Sequence, residues 1–293
     1  MRLSKSVTPT ESGELEWYYS MWPSAALSEP WLAMARRLYT ETHVLPVLYS
    51  TVAQGKWVKP SEAIYVGGGS EDAVFVRKAL LCDGKEVIEL PDTVLQCFEN
   101  VKLPLFNAGP KWVRAHLKTA PTTAVWRRMG AGMRETHLAL LRFCLSDFVL
   151  GAPPDSTGGV MYAELCGLPI VPTADGKSSQ TFGKPSQSVA ESLLVATAQE
   201  SELLARLQAQ IVDPALPSCV LEHLTSDAMA AYTNVKVVTP EVVAACFLRV
   251  LPDGWKGVEE VQWRVGNDRQ PDAAWMRLFW EVSMSHCLME SMS

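Results

Sequence analysis

The chain has 293 residues, of which 48% are hydrophobic and 20% are charged, and this composition is typical of a folded globular protein. The formal net charge is −6, whereas binding to nucleic acid or to a membrane surface usually needs a basic patch. Because no run of Lys and Arg is longer than a pair, such as Arg127 with Arg128, we expect neither nucleic acid nor a membrane as a partner.

Seven cysteines are scattered along the sequence, and no two of them have the Cys-x-x-Cys spacing of a metal site. Those in apolar surroundings, such as Cys144 and Cys246, are expected to be buried free thiols in a reducing compartment. We therefore expect no metal and no other cofactor. The N-terminal segment lacks the apolar core of a signal peptide, and no run of 18 apolar residues occurs, so the expected location is cytoplasmic.

The first elements in chain order are predicted to be a helix and then short extended segments. Apolar residues at helical spacing predict a helix over residues 31–44, and the Leu-Pro sequence at Leu45 predicts an extended segment as far as Ser50. Residues 53–56 are typical of a turn, and a second extended stretch is expected from Lys56 to Val66.

A glycine run at residues 67–69 separates this stretch from a predicted helix. Ser70 is a typical N-cap, and the helix is expected over residues 71–82, where an Asp-Gly pair ends it. A glycine-rich loop before a helix can bind phosphate, but the spacing of a P-loop or a dinucleotide-binding loop is absent, and acidic residues open the helix. We therefore interpret the loop as a flexible turn.

The later elements are predicted from periodicity, capping and turn residues. They are a strand over 87–90 and helices over 91–99, 110–119, 134–150, 186–212 (in one or two pieces), 218–225, 239–250 and 272–288. The predicted fold class is α+β, predominantly helical with short β-hairpins. Turn-rich residues 151–159 are the best candidate for a linker, so we expect a division into residues 1–150 and 160–293, with the second part ending inside a repeat unit.

Two prolines stand in a strand-like stretch just before an Asp-Gly turn at Asp175 and Gly176. Asp-Gly favours tight hairpin turns, and proline is tolerated in an edge strand, where its missing N–H is not needed. Residues 168–182 are therefore predicted to form an edge hairpin. A phosphate loop and a catalytic elbow are less consistent with the stretch, since no Gly-x-Ser-x-Gly sequence occurs in the chain.

Cys144 follows His137 by seven residues, which places both near one face of the predicted helix over 134–150. A Cys–His hydrolase would need the two groups to be adjacent and the thiol to be exposed. Because Cys144 stands between Phe143 and Leu145, we expect it to be buried. A Cys144–His137 enzyme is nevertheless kept as the alternative to a non-catalytic protein.

Ten tryptophans suggest either an aromatic ligand box or anchors of a large core, and core anchoring is the more typical use. Several of them belong to short sequences that recur along the chain, as expected for degenerate repeats. The recurring sequences are the Trp31 helix with Leu45-Pro46-Val47 and Gly55-Lys56, then Leu168-Pro169-Ile170 with Gly176-Lys177, and finally the Trp275 helix.

Four stretches together resemble the repeat region of sacsin-like proteins. They are the Trp31 helix with Leu45-Pro46-Val47 and Gly55-Lys56-Trp57, the run LLRFCLSD from Leu140 to Asp147, the run CGLPIVPTADG from Cys166 to Gly176, and the run from Trp275 to Trp280. The resemblance extends from about residue 15 to the end of the sequence.

The resemblance implies part of a repeat unit that lies downstream, in cis, of an ATPase-like domain of the gyrase and heat-shock chaperone class. The acidic-Asn box and the Asp-x-Gly-x-Gly loop of that domain are absent here, so no residue receives a nucleotide-binding role. The implied function is a non-catalytic scaffold or co-chaperone that contacts unfolded clients and heat-shock chaperones. A further hypothesis is that the fold only spaces an upstream ATPase-like domain and binds nothing itself.

Overall fold

The computed structural model describes residues 48–50, 56–58, 62–67, 70–90, 95, 105–119, 133–174, 179–205, 207, 209–250 and 273–290. In the described residues 53% of the chain is helical and 14% is in strands, so the predicted mixture of sheet with a majority of helix is confirmed. The chain divides into two compact units, residues 1–131 and 132–293. The turn-rich residues 151–159 lie inside the second unit.

The first unit contains a small parallel sheet preceded by an antiparallel hairpin. Its described elements are β1 (Leu48–Ser50), β2 (Lys56–Val58), β3 (Ala63–Tyr65), α1 (Glu71–Cys82), β4 (Glu86–Ile88), β5 (Phe106–Asn107) and α2 (Pro110–Thr119). β3 lies in the centre and pairs in parallel with β4 on one side and β5 on the other. The β1–β2 hairpin is antiparallel, and β1 contacts β4.

The second unit repeats this plan and adds helices around it. Its described elements are α3 (Met133–Leu145), α4 (Thr157–Val160), a 3₁₀ helix (Met161–Leu165), β6 (Val171–Pro172), β7 (Ser179–Gln180), a second 3₁₀ helix (Val189–Glu191), β8 (Leu193–Val195), α5 (Ala198–Ala205), β9 (Gln210–Ile211), α6 (Ser218–Leu224), α7 (Asp227–Tyr232), β10 (Val235–Val237), α8 (Pro240–Val250) and α9 (Ala273–Glu290). β8 is central, between β9 and β10, and both pairings are parallel.

The pairing of the first strand with the third has the same register in both parallel sheets, at a constant interval along the chain. Four residue pairs show it, since Leu194–Lys236 and Val195–Val237 stand 130 positions after Ile64–Phe106 and Tyr65–Asn107 (194 − 64 = 130). In each unit a helix that begins with proline follows the third of these strands. The two units therefore share one strand order, in which the first strand is central and both neighbours are parallel to it.

Backbone hydrogen bonds after the third strand repeat at the same interval. The Ala108 N–H donates to the Tyr65 carbonyl at 2.8 Å, and the Val238 N–H donates to the Val195 carbonyl at 3.2 Å. The recurring Leu-Pro sequences have a structural counterpart as well. Each hairpin strand, β1 and β6, begins three residues after the leucine of its Leu-Pro pair.

The long helical pattern predicted over residues 186–212 is wrong, since β8, α5 and β9 occupy this stretch. All three side chains of β8 are buried, because the strand has a neighbour on each edge and is covered on both faces. Such a strand is a continuous apolar run without alternation, which fits a helical template as well as a strand. A capping box starts α5: the Thr197 N–H donates to Glu200 Oε2 at 2.7 Å.

Residues 168–182 form the predicted hairpin, with Val171 opposite Gln180, but β6 is not a free edge. On its other side Thr173 bridges to Val212, and the Asp213 N–H donates to the Pro172 carbonyl at 3.0 Å. Proline is tolerated there because the ladder uses its carbonyl oxygen. The turn residues 175–178 lie outside the described residues.

Most of the other predictions that can be compared are confirmed. Ser70 caps α1, because its side-chain oxygen accepts a hydrogen bond from the Ala73 N–H at 3.3 Å. Gly84 follows the helix with a φ of 76°. α3 ends at Leu145 and gives way to turns, five residues before the predicted end. α7 and β10 were not predicted. The predicted helix over 31–44, and that over 91–99 apart from residue 95, lie outside the described residues.

Candidate protein-binding surfaces

Cys144 and His137, the pair considered for an enzyme, lie in the interior of the second unit, 0% and 1% exposed. Both are on α3, where a spacing of seven residues places their Cα atoms about 10 Å apart along the helix axis. Both side chains tilt toward the helix N-terminus, so the tilt does not bring them together. Burial lowers the pKa of His137 to about 4, so the imidazole is neutral at pH 7. Neither group is placed where a substrate could reach it.

We expect Cys144 to react slowly with an alkylating reagent in the native protein, because the reagent reaches it only when the helix opens. Cys219 on α6 is exposed and serves as an internal control, expected to react at least about 100-fold faster. Peptide mapping by mass spectrometry over a time course measures both rates. Rapid labelling of Cys144 near neutral pH would favour the enzyme hypothesis.

The glycine loop before α1 leads into a helix whose N-terminus is already capped by Ser70. Gly67 lies against the Asn107 side chain, since an added Cβ would stand 3.8 Å from both terminal atoms of the amide. An anion at this helix end would also face the carboxylates of Glu71 and Asp72 in the first turn. Residues 68 and 69 of the loop lie outside the described residues, so its interpretation as a turn stays a prediction.

The polar pairs of the second unit join distant parts of its chain. The Tyr162 hydroxyl lies 2.7 Å from His223 Nδ1, and burial raises the pKa of the tyrosine and lowers that of the histidine. Arg134 on α3 pairs with Asp213, whose side chain is 8% exposed. The first pair joins the first 3₁₀ helix to α6, and the second joins α3 to the segment that follows β9.

Trp275 is a core residue of the second unit, which agrees with the prediction of core anchoring. It is 3% exposed, and its Nε1–H donates to the Leu203 carbonyl at 3.0 Å. Trp112 is half-buried and stacks on His116 with the ring centroids 4.9 Å apart. The tryptophans outside the described residues, or without a described side chain, are Trp17, Trp22, Trp31, Trp57, Trp126, Trp255 and Trp263.

The outer face of α9 exposes two large apolar side chains. Trp280 is 60% exposed and Met284 is 58% exposed, and a spacing of four residues makes them neighbours on the helix. Trp275 and Val282 lie on the opposite side, where they pack into the core of the second unit. We call Trp280 and Met284 the α9 surface.

A second apolar surface lies in residues 149–160, which connect α3 to the first 3₁₀ helix. Val149, Leu150 and Val160 are 61%, 46% and 48% exposed. The segment folds back on itself, since a Cβ added to Gly158 would stand 3.8 Å from the Val149 Cβ. We call these three exposed side chains the 149–160 surface.

Contacts on several sides hold this segment in one conformation. Ser156 Oγ accepts a hydrogen bond from the Gly159 N–H at 3.1 Å, and the Tyr232 hydroxyl donates to the Pro154 carbonyl at 2.8 Å. Gly159 packs so closely on the carbonyls of Pro153 and Pro154 that an added Cβ would overlap them. The apolar side chains are therefore displayed by an ordered backbone, which lowers the entropy cost of binding a partner.

Comparisons with protein-family models, with curated proteins and with solved structures found no match to this chain. In the part of the chain that the structure describes, no helix is long and apolar enough to cross a membrane. The same described residues contain no group of three or more His, Cys, Asp or Glu side chains placed to hold a metal ion.

Proposed function

We propose that this chain is a non-catalytic, protein-binding segment of a sacsin-like protein that acts in protein quality control as a scaffold or co-chaperone. The sequence resemblance points to this class, and the strand order shared by the two units is compatible with a repeat protein. The partners in this proposal are unfolded clients and heat-shock chaperones in the cytoplasm, with an ATPase-like domain in cis upstream.

The observation that carries the proposal is the display of large apolar side chains on ordered elements. Trp280 and Met284 are more than half exposed on a helix whose other face is anchored in the core. Aromatic side chains and methionine are enriched in protein interfaces, and methionine adapts to varied partners. Unfolded proteins offer apolar segments that such side chains can bury.

We expect the purified chain to slow the aggregation of a chemically unfolded test protein, followed by light scattering without nucleotide. The double variant Trp280→Ser with Met284→Ser should bind the test protein about 30-fold more weakly, because truncating a central aromatic anchor costs about 2 kcal/mol. Val237→Ser is the matched control, since Val237 is also exposed, at 46%, but lies on β10. Its effect should be small.

Equal activity of the double variant and the parent would remove the α9 surface from the proposal. A parent chain that neither binds the test protein nor slows its aggregation would contradict the proposed function as a whole. That result would favour the hypothesis of a fold that only spaces an upstream ATPase-like domain.

A further inference from the structure

Two stretches of the second unit that include the 149–160 surface and the helices packed near it contain acidic residues but no Lys or Arg. α4 and the first 3₁₀ helix pack against α7, and α6 packs against α7 and α3. Residues 143–174, which include the first two of these elements, contain three acidic residues and no Lys or Arg. Residues 207–235, which include α6 and α7, again contain three acidic residues and no Lys or Arg.

Most of this negative charge is directed to solvent. Asp213 is the exception, because it is buried and paired with Arg134. Asp155 in the turn before α4, Glu222 on α6 and Asp227 on α7 are exposed. The nearest basic residues along the sequence are Arg142 and Lys177 on either side of the first stretch, and Arg206 and Lys236 on either side of the second. The apolar side chains of the 149–160 surface thus belong to a stretch, residues 143–174, that carries exposed carboxylates and no Lys or Arg.

We propose that the 149–160 surface, together with the exposed carboxylates of these two stretches, which we call the acidic layer, binds cationic segments of other proteins in which apolar residues alternate with Lys or Arg. The proposal rests on the proposed protein-binding function and specifies the chemistry of the partner. The apolar residues of the segment bury Val149, Leu150 and Val160, and its cations meet the carboxylates around them. Complementary charge accelerates the encounter and selects against acidic segments.

Four labelled peptides of equal length test this chemistry by fluorescence anisotropy with the full chain. Three have the same leucine pattern and carry Lys, Glu or Ser at the remaining positions, and the fourth keeps the lysines but has serine in place of leucine. We expect the Leu/Lys peptide to bind about 10-fold more tightly than each of the others, and its affinity to fall several-fold between about 20 and 200 mM salt.

Variants of the chain separate the apolar and the electrostatic contributions. Val149→Ser with Val160→Ser should weaken binding of the Leu/Lys peptide about 10-fold at any salt concentration. Asp155→Asn with Glu222→Gln should weaken it several-fold at low salt and flatten the salt dependence. Val237→Ser alters an exposed apolar side chain that belongs to neither named surface and should leave the affinity unchanged. Thermal unfolding of each variant verifies that it is folded.

The outcomes distinguish this inference from the proposed function. If the chain slows aggregation but binds the Leu/Glu peptide as tightly as the Leu/Lys peptide, the inference is wrong and the proposed function stands. Unchanged affinity in both 149–160 and acidic-layer variants would also overturn it. If the Leu/Lys preference is found but aggregation is not slowed, the surface is supported and the co-chaperone role is contradicted.

Discussion

Replacing Gly159 with alanine is expected to destabilise the second unit by about 3 kcal/mol, because backbone atoms occupy the space that a Cβ would take. The added carbon would overlap the Pro153 carbonyl oxygen and stand 2.7 Å from that of Pro154. Neither oxygen is at the end of a flexible side chain, so the segment would have to move. Helix propensity alone predicts the opposite sign, since alanine is favoured over glycine by about 1 kcal/mol in a helix.

The adjacent Gly158→Ala variant is the matched control for this prediction. A Cβ at residue 158 would stand 3.1 Å from the Ala152 Cβ and 3.8 Å from the Val149 Cβ, which are side-chain atoms that can shift slightly. Its stability should therefore change by no more than about 1 kcal/mol. Urea unfolding monitored by circular dichroism measures both variants. Equal stability of Gly159→Ala and the parent would show that the 149–160 segment is not held as described.

Replacing Trp275 with alanine is expected to cost about 4 kcal/mol of stability, as is typical for removal of a buried large aromatic side chain. Trp275 packs with Leu203, Leu204 and Val282 in the core of the second unit. Its Nε1–H also donates to the Leu203 carbonyl, which lies in the last turn of α5 and has no acceptor role within that helix. The substitution removes both the packing and this hydrogen bond.

Two further substitutions test the hydrogen bond and the burial of Trp275 separately. Trp275→Phe keeps much of the ring but leaves the Leu203 carbonyl without its indole donor, and should cost about 2 kcal/mol. Trp280→Ala removes the same residue type five positions along the same helix, where the side chain is 60% exposed. It should change stability by less than about 0.5 kcal/mol. Similar losses for Trp275→Ala and Trp280→Ala would contradict the orientation of α9.

Local signals were sufficient to predict several elements from the sequence. The Ser70 cap, the acidic first turn and the Asp-Gly ending of α1 all act within a few residues of the helix, and the helix has the predicted bounds. Pro240 at the start of α8 and the two-stranded hairpin around residues 168–182 are further examples. In each case the residues that specify the element are contained in it or adjoin it.

The parallel strands were harder to predict, because their pairing depends on residues far apart in the chain. β8 is a short apolar run, which is typical of a buried strand and of a buried helix alike. Its partners β9 and β10 are only two and three residues long. The similarity of the two units is visible in the shared register of β3–β5 and β8–β10, whereas the sequence shows only scattered Trp and Leu-Pro similarities.

The candidate surfaces could not be located from the sequence for a related reason. Apolar residues occur on all sides of α9, so periodicity does not distinguish Trp275 in the core from Trp280 on the surface. Val149 and Leu150 continue the apolar pattern of α3, but the helix ends at Leu145 and the following turns direct them outward. In the sequence, the Pro-Pro and Gly-Gly pairs within residues 153–159 were the features that indicated a compact turn in this segment.

The amino-acid sequence by itself determined the mixed helical and sheet composition, the capped helices, the 168–182 hairpin and the absence of known catalytic spacings, since these depend on local propensity and patterning. Only the tertiary structure decided that His137 is buried, that Thr173 at the end of β6 bridges to Val212, and that Trp280, Met284 and the 149–160 segment remain outside. The physical reason is that burial and strand pairing are properties of contacts between distant residues.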